Sequence, residues 1–586
     1  VESTRSWKTA LANNKYFHVS ICMLALLFCV LVARPFAPIG INDDWSYFWT
    51  AKVLAETGHL TYNGWGAMPL GWQAYLGALF IKLFGFSFTA VRSSILIVSL
   101  LCAALMQRTF VRLGISEGTA SVATLTLVLS PLFLPLSFSF MSDIPGLFVL
   151  VLCIYCCIRA FQSTSDKAAI LWLVFACLSN IAGGTVRQII WLGALLIVPS
   201  AAWRMRRRPY MLPVGAALWV FSAVSIALCM HWFRLQPYAI REKLFLRYHL
   251  YMVLRAYSLC IEGLLFLVPI MSAFVVTSPP GKQRACKIAA ITGAMIGSLF
   301  FWWAITTPTN YFNMFKDIPF GGSPGNFVAP DGYPSDILGR HPEVIPMFVR
   351  LLLTAATFAA FSSTLVCLIG KQNPSRAVDN RNRSGNLRYP NIENASLATL
   401  LVPFTAAYIL LIVSRITIFD RYSLPLLFVF TIGLLRFYSR FISNRLPRIC
   451  VVVALMYAAY GVANMHDMFA FERARVYAAK QIISTGISRA EIEGGEEYDA
   501  WTQLEQVGYV NDPRIEYPPS AYRTWPVPNV PRDCLGWFRS YIPSVHPLLH
   551  LSQFQDSCYK PSQFAPVVYQ TWLPPLQRTI YILDSR

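Results

Sequence analysis

The sequence predicts an all-α polytopic membrane protein of about thirteen spans, with juxtamembrane helices in its first outer loop and a small C-terminal extracytoplasmic domain of α/β or α+β type. Three observations predict it. Of 586 residues, 55% are hydrophobic and 13% charged, with a mean hydropathy of +0.49, far from the balance of a soluble domain. Apolar runs long enough to cross hydrocarbon recur as far as Val462. The polar connections between them carry clusters of Lys and Arg, the pattern that orients membrane helices.

The runs follow in order. The first, Tyr16 to Ala33, is preceded by Arg5, Lys8 and Lys15 and has no small-residue cleavage site after it, so it reads as a retained helix and not a removed leader; the opening Val1 fits an alternative start or trimming. Then come 88–106, 118–136, 144–158, 168–184, 188–202, 211–232, 259–276, 288–305, 344–369, 397–413, 422–435 and 449–462. The apolar stretch from Met68 to Phe84 is ambiguous, because spanning or not spanning inverts every later loop. If it does not span, the clusters at Arg108/Arg112, Arg204/Arg206/Arg207/Arg208, Lys282/Arg284/Lys287, Arg376 to Arg388 and Arg436 to Arg448 all share the face of the N-terminus. That face is then cytoplasmic. Met68 to Phe84 becomes a re-entrant or juxtamembrane helix, joined to an amphipathic segment from Trp45 to Ala55 within an outer loop of residues 34–87.

This topology divides the chain into a membrane domain, 1–465, and an outer soluble domain, 466–586. In the latter, Phe471 to Ile487 has helical spacing, Glu493 to Asp499 reads as a turn-rich acidic loop, and Thr579 to Leu583 as a closing strand. Cys534 and Cys558 are the two cysteines of this polar tail, where an oxidising compartment favours a disulfide. The other twelve lie in or beside apolar runs without metal-binding spacing and read as small buried residues. The net charge of +20 resides in the inter-span clusters, so no nucleic-acid role is assigned; the expected surroundings are membrane lipids.

Chemistry-bearing residues collect on the outer face. Asp43 and Asp44 follow the first span, and a like-charged neighbour beside Trp45, Tyr47, Phe48 and Trp49 raises the basicity of one of them; the bland alternative is two solvated loop acids. Asp143, in Ser142-Asp143-Ile144-Pro145, serves equally as a helix-starting residue or a functional acid. Arg92, Arg187, Gln188, Arg421 and Tyr422 stand at span entrances, where interfacial anchoring competes with binding a phosphate head group. The outer segment with Arg234, Arg241, Lys243, Arg247 and Arg255 against Glu242 runs counter to the charge bias and suits attraction of an anionic lipid, or a solvated helix. The Gly/Pro-rich connection from Thr307 to Glu343 has the character of a lid. His341 with Glu343, and His59 with Glu56, are isolated pairs of metal-ligand types, too few to define a divalent-metal site.

Several of these motifs together resemble a known family. The acidic pair, an aromatic-rich helix ending at Gly58, the segment from Met68-Pro69-Leu70 to Leu83-Phe84-Gly85, Ala90-Val91-Arg92, Ser142-Asp143-Ile144-Pro145, and the late Asp420-Arg421-Tyr422-Ser423-Leu424-Pro425 are similar to the GT-C superfamily of membrane glycosyltransferases, nearest to aminoarabinose transferases and protein O-mannosyltransferases. The family's usual Asp-Glu is Asp43-Asp44 here, and its His-Pro-Pro or Pro-Pro-Leu is Ala67-Met68-Pro69-Leu70. The resemblance implies a GT-C-like fold, Asp43 as catalytic base and Asp143 as the second acidic site.

The implied reaction is inverting transfer of a sugar from a polyprenyl-phosphate-linked donor to a hydroxyl of a lipid, glycan or protein acceptor, outside the plasma membrane of a bacterium. The lipid-linked sugar is the expected donor substrate, and a divalent metal is left open but unsupported. Phosphate leaves without protonation when Arg neutralises it. A secondary transporter is the first rival, disfavoured because the ionisable residues of the spans lie near span ends. A polysaccharide polymerase or ligase acting on lipid-linked glycans is the second.

Overall fold

The computed structural model describes residues 15–240, 249–278, 281–306, 332, 337–339, 342–369, 392–415, 418–510, 534, 536–555 and 559–585. Helix α1 (Lys15–Ala33) is followed by the helices α2 (Asp44–Thr57) and α3 (Gly71–Phe84) of the next loop, then by α4 (Phe88–Arg112), α5 (Glu117–Val128), α6 (Phe133–Leu136), α7 (Asp143–Gln162) and α8 (Asp166–Gly184). A 3-10 turn (Gln188–Trp191) and a π turn (Gly193–Ile197) lead into α9 (Val198–Arg204). Next come α10 (Met211–Arg234), α11 (His249–Val276), α12 (Gln283–Thr306), α13 (Met347–Ile369), α14 (Asn394–Val413), α15 (Leu424–Phe441) and α16 (Arg448–Ile483).

Among the described residues, 11 helices are long and apolar enough to cross a membrane, so the chain is an integral membrane protein. Two further runs expected as spans depart from that form. The run 118–136 breaks into the 12-residue α5 and the short α6, because Pro131 lacks an amide hydrogen and disfavours helix at Ser130 before it. The run 188–202 is divided among 3-10, π and α segments. Its π turn is held where Asn180 Oδ1 accepts the Ala194 amide hydrogen at 2.7 Å, diverting a backbone donor from the regular ladder.

Helix α3 has 14 residues, about 21 Å of rise against a hydrocarbon thickness of about 30 Å, and packs on α2 and α4 as a juxtamembrane helix. Helix α2 is not amphipathic at the surface as expected. Asp44, Trp45, Ser46, Tyr47, Phe48, Thr50 and Ala51 are all buried, since α3 and the C-terminal domain cover the face that a bare outer loop would leave wet. Its end is set by Gly58, at φ +76, whose amide hydrogen returns to Leu54 O at 2.9 Å.

Helix α16 has 36 residues, roughly 54 Å, and outruns any bilayer. The expected domain boundary at residue 466 falls inside it. Its second half is buried against the C-terminal domain, which contains α17 (Glu496–Val507), β1 (Ile492–Glu493), β2 (Leu549–Ser552), β3 (Lys560–Pro561), β4 (Val567–Gln570) and β5 (Gln577–Asp584). The strand order is β1-β2-β5-β3 with β4 also on β5. The β1–β2 pair is parallel, Ile492 opposite Leu549, and the others are antiparallel. The sheet includes the expected closing strand. The expected acidic loop from Glu493 to Asp499 is instead the end of β1 and the first turn of α17, where carboxylates favour a helix N-terminus and Asp499 Oδ1 accepts the Gly494 amide hydrogen at 2.8 Å. Cys534 is disulfide-bonded; Cys558 lies outside the described residues.

Candidate functional site

The site is built on the loop between α1 and α2. Arg92 of α4, fully buried, donates to Ala37 O (3.2 Å) and Ile39 O (2.6 Å) and lies 3.5 Å from Asp44 Oδ2. Its guanidinium is surrounded by the rings of Phe48, Phe88 and Phe469. Asp44 also accepts the amide hydrogens of Ile41 (2.5 Å) and Phe140 (3.1 Å). Burial pushes its carboxyl up to about 6, against the opposing pull of Arg92. Arg92 and Asp44 were expected at the substrate. The geometry makes them the pins of the loop: they fasten 37–44 to α4 and to the segment that leads into α7.

Asp43 points the other way. Its side chain is 24% exposed, where those of Asp44 and Asp143 are 0% and 2%, so it is the one acid of the three open to a reactant. Trp65 Nε1 donates to Oδ1 at 2.8 Å and Arg421 Nη2 to Oδ2 at 3.0 Å. Asn42 beside it adopts φ +52, a left-handed conformation that Asn tolerates better than most residues. Its Oδ1 accepts from Arg421 Nη1 at 2.9 Å.

Asp143 opens α7, with Pro145 in the first turn where a missing amide hydrogen does no harm. Its carboxylate does not cap the helix. Oδ1 pairs with Arg187, and Oδ2 stands 3.7 Å from Arg421 Nε. Arg187 can lie against α7 because residue 146 is glycine, where a Cβ would meet Arg187 Cβ and Ile190 Cγ1 at 3.3 Å.

Arg421, in the 3-10 turn Asp420–Ser423 that introduces α15, therefore joins two acids a hundred positions apart in sequence. The ring of Tyr422 receives two further guanidiniums, Arg187 at 4.7 Å and Arg415 at 4.8 Å. Its carbonyl is fixed by Tyr408 Oη at 2.9 Å. Gln188 Nε2 donates to Ala67 O at 2.9 Å and ties α8's exit to the loop that carries α2 and α3.

Asp43, Asp143, Arg187, Arg421 and Tyr422 thus meet in one place. Arg247 and His341 lie outside the described residues, as does most of the connection 307–343. Among the described residues no three His, Cys, Asp or Glu side chains gather as a metal site. Glu56, in the last turn of α2, and His59, just beyond its end, are exposed. Sequence reasoning did not single out Asn42, Trp65, Tyr408, Arg415 or Glu497 as site residues. Arg415 carried a usable signal, a cation two residues past an apolar run on the same face as Arg421. Trp65 and Glu497 carried none that local spacing reveals.

Residues 72–268 match the family model described as dolichyl-phosphate-mannose-protein mannosyltransferase. No curated protein matches the chain in sequence. Similar solved structures include ArnT from Cupriavidus metallidurans in the apo state (13% identity, 81% of each chain covered, TM-score 0.35). The same protein bound to undecaprenyl phosphate matches at 12% identity, with the same coverage and TM-score. The arabinosyltransferase EmbB from Mycobacterium smegmatis matches at 13% identity over 80% of this chain and 43% of that one, with a TM-score of 0.34. In the stretch that includes Arg92, Asp143, Arg187 and Gln188, the chain is similar to the mannosyltransferase family.

Proposed function

We propose that this chain transfers a sugar from a polyprenyl-phosphate-linked donor to an acceptor hydroxyl at the extracytoplasmic face of a bacterial plasma membrane, with its N-terminal side cytoplasmic. The observation that carries the reading is the shared arginine: a partly exposed carboxylate, Asp43, lies 3.0 Å from Arg421, which also stands beside Asp143 and next to the Arg187–Tyr422–Arg415 stack. A base adjoining clustered guanidiniums is what sugar transfer from a phosphate ester requires.

In this reading the acceptor O–H gives its proton to Asp43 as its oxygen attacks the anomeric carbon. The bond from that carbon to the phosphate oxygen breaks, and the electron pair leaves with the phosphate. Arg421, Arg187 and Arg415 neutralise the phosphate, so it departs unprotonated. A single displacement inverts the anomeric configuration. Asp143, paired with Arg187 and 3.7 Å from Arg421, holds both guanidiniums aimed at the leaving group. The family matched over 72–268 is named for a dolichyl-phosphate-linked mannose, and no nucleotide sugars are at hand outside the cytoplasm, so a lipid-phosphate donor fits on both counts. The acceptor is a lipid, glycan or protein hydroxyl.

The test supplies host membranes with radiolabelled polyprenyl-phosphate mannose and compares wild type with Asp43→Asn at equal amounts of folded protein. Label moves to an acceptor with wild type, and transfer falls at least about 100-fold in the variant. Unchanged transfer, or movement of intact donor across the membrane without a new glycosidic bond, overturns the reading in favour of a ligase or a transporter.

A further inference from the structure

The C-terminal domain reaches into the acid loop. Glu497, in the first turn of α17 and buried, accepts the Asn42 amide hydrogen at 2.8 Å through Oε1 and Arg475 Nη1 at 2.8 Å through Oε2. Arg475, on the buried half of α16, is fixed on its other side by Glu472. Neighbouring Glu496 accepts from Trp45 Nε1 at 3.1 Å. Phe538 and Tyr541 of the same domain pack on Trp65 with ring centroids 5.1 and 5.3 Å away, and Trp65 is the residue that donates to Asp43 Oδ1. Asn42 and Trp45, which bracket the acid pair, and the tryptophan donor of Asp43 are each held by this one domain.

We propose that Glu497 is a positioning residue for transfer: by accepting the Asn42 amide hydrogen it clamps that residue in its left-handed conformation, and so sets the aim of Asp43 at the reacting hydroxyl and the hold of Asn42 Oδ1 on Arg421. The inference rests on Asp43 being the base. Asn42 at φ +52 is in a sparsely populated region that persists only where surrounding contacts dictate it. The Glu497 carboxylate supplies a charge-assisted bond at that amide, anchored by Arg475 to a helix that runs from the membrane into the domain. Without it the backbone of residues 41–44 is free to relax toward the β region, turning the Asp43 side chain from its place. A displacement of about 1 Å at a reacting group can cost about 100-fold in rate. The C-terminal domain is in this sense part of the site.

The experiment uses full-length protein in detergent, with radiolabelled polyprenyl-phosphate mannose and host membrane acceptors, and compares wild type, Glu497→Ala, Glu497→Gln and Asp43→Asn. Hydrogen exchange of peptides covering 39–48 is measured alongside. Glu497→Ala is expected to lose tenfold or more in kcat with the donor KM within about twofold, and to speed exchange at 41–44 by tenfold or more. Glu497→Gln keeps an oxygen for the Asn42 amide while Arg475 keeps Glu472, so it should return most of the rate and the protection. If Glu497→Ala is too unstable to isolate, the glutamine variant decides alone. Protection kept and kcat within threefold supports the clamp; protection lost or a tenfold fall overturns it. A folded Glu497→Ala with unchanged exchange at 41–44 also overturns the inference while leaving the transferase reading intact. Full activity of Asp43→Asn instead removes the reading on which the inference rests, whatever the exchange shows.

Discussion

Replacing Arg421 with lysine keeps a positive charge but removes the fork that joins the two halves of the site. In the native protein one planar group donates to Asn42 Oδ1 at 2.9 Å and to Asp43 Oδ2 at 3.0 Å while standing 3.7 Å from Asp143 Oδ2. A lysine ammonium is a point donor on a flexible stem and can satisfy one of these positions well, not three. Hydrogen bonds to charged groups contribute about 1.5–3 kcal/mol each, so losing one at the base gives about 2 kcal/mol, or roughly 30-fold in kcat/KM. Lysine is the informative choice because alanine would leave buried Asp143 with Arg187 alone, an outcome that mixes catalysis with folding. The assay is transfer from radiolabelled polyprenyl-phosphate mannose, with a thermal melt of the same detergent sample to show that the fold is kept. Activity within threefold of wild type, with an unchanged melt, would refute the bridging role.

Three other perturbations test separate parts of the account. The carboxyl of Asp44 is raised by burial from 3.8 to about 6, so the folded state holds its proton more tightly than the unfolded state does. This group therefore lowers stability as pH rises from about 4 to about 6, by up to about 3 kcal/mol, with no further change above; the wild-type minus Asp44→Asn difference in chemical-denaturation stability across that window measures it, and a flat or rising difference contradicts it. Asn42→Gly and Asn42→Ala both lose the contact to Arg421, but alanine is strained at φ +52, so the glycine variant should be the more stable by about 1 kcal/mol in thermal melts; equal stabilities argue against a conformation held left-handed. Gly146→Ala brings a methyl group to 3.3 Å from Arg187 and should destabilise by about 1 kcal/mol or more while reducing transfer; wild-type behaviour in both assays contradicts the close packing of Arg187 on α7.

What the sequence disclosed follows from how local each signal is. Hydropathy alone identifies helices such as α1 and α14, because burial in lipid requires a long apolar run whatever its neighbours. The convergence of Asp43, Asp143, Arg187 and Arg421 was also within reach, since counting spans from the charge bias puts all four on one face. Breaks inside apolar runs were harder. Pro131 was visible, yet a proline inside a membrane helix is often tolerated, and only the approach of α16, whose Gly461 lies where a Cβ would be 3.2 Å from Pro131, gives the interrupted α5–α6 segment its place. The acids of 493–499 read as a wet loop because sequence shows charge and not its partner. For Glu497 those partners are Arg475 and the amide of Asn42, the latter 455 residues away, and for Glu493 and Glu496 they are His550 and the Trp45 indole; such partners make the carboxylates tolerable in the interior. The roles expected for Arg92 and Asp44 changed for the same reason: a cation at a span entrance looks alike whether it faces a ligand or a row of carbonyls.

A double-mutant cycle on Asp43→Asn and Arg421→Lys, read as kcat/KM for transfer from the lipid-linked donor, tests the claim on which everything else depends, that base and bridging arginine act as one unit. The account predicts a loss of about 100-fold or more for the first, roughly 30-fold for the second, and a double variant no more than about threefold below Asp43→Asn alone. Losses that multiply to about 3,000-fold, or an Asp43→Asn protein close to wild type, would contradict it.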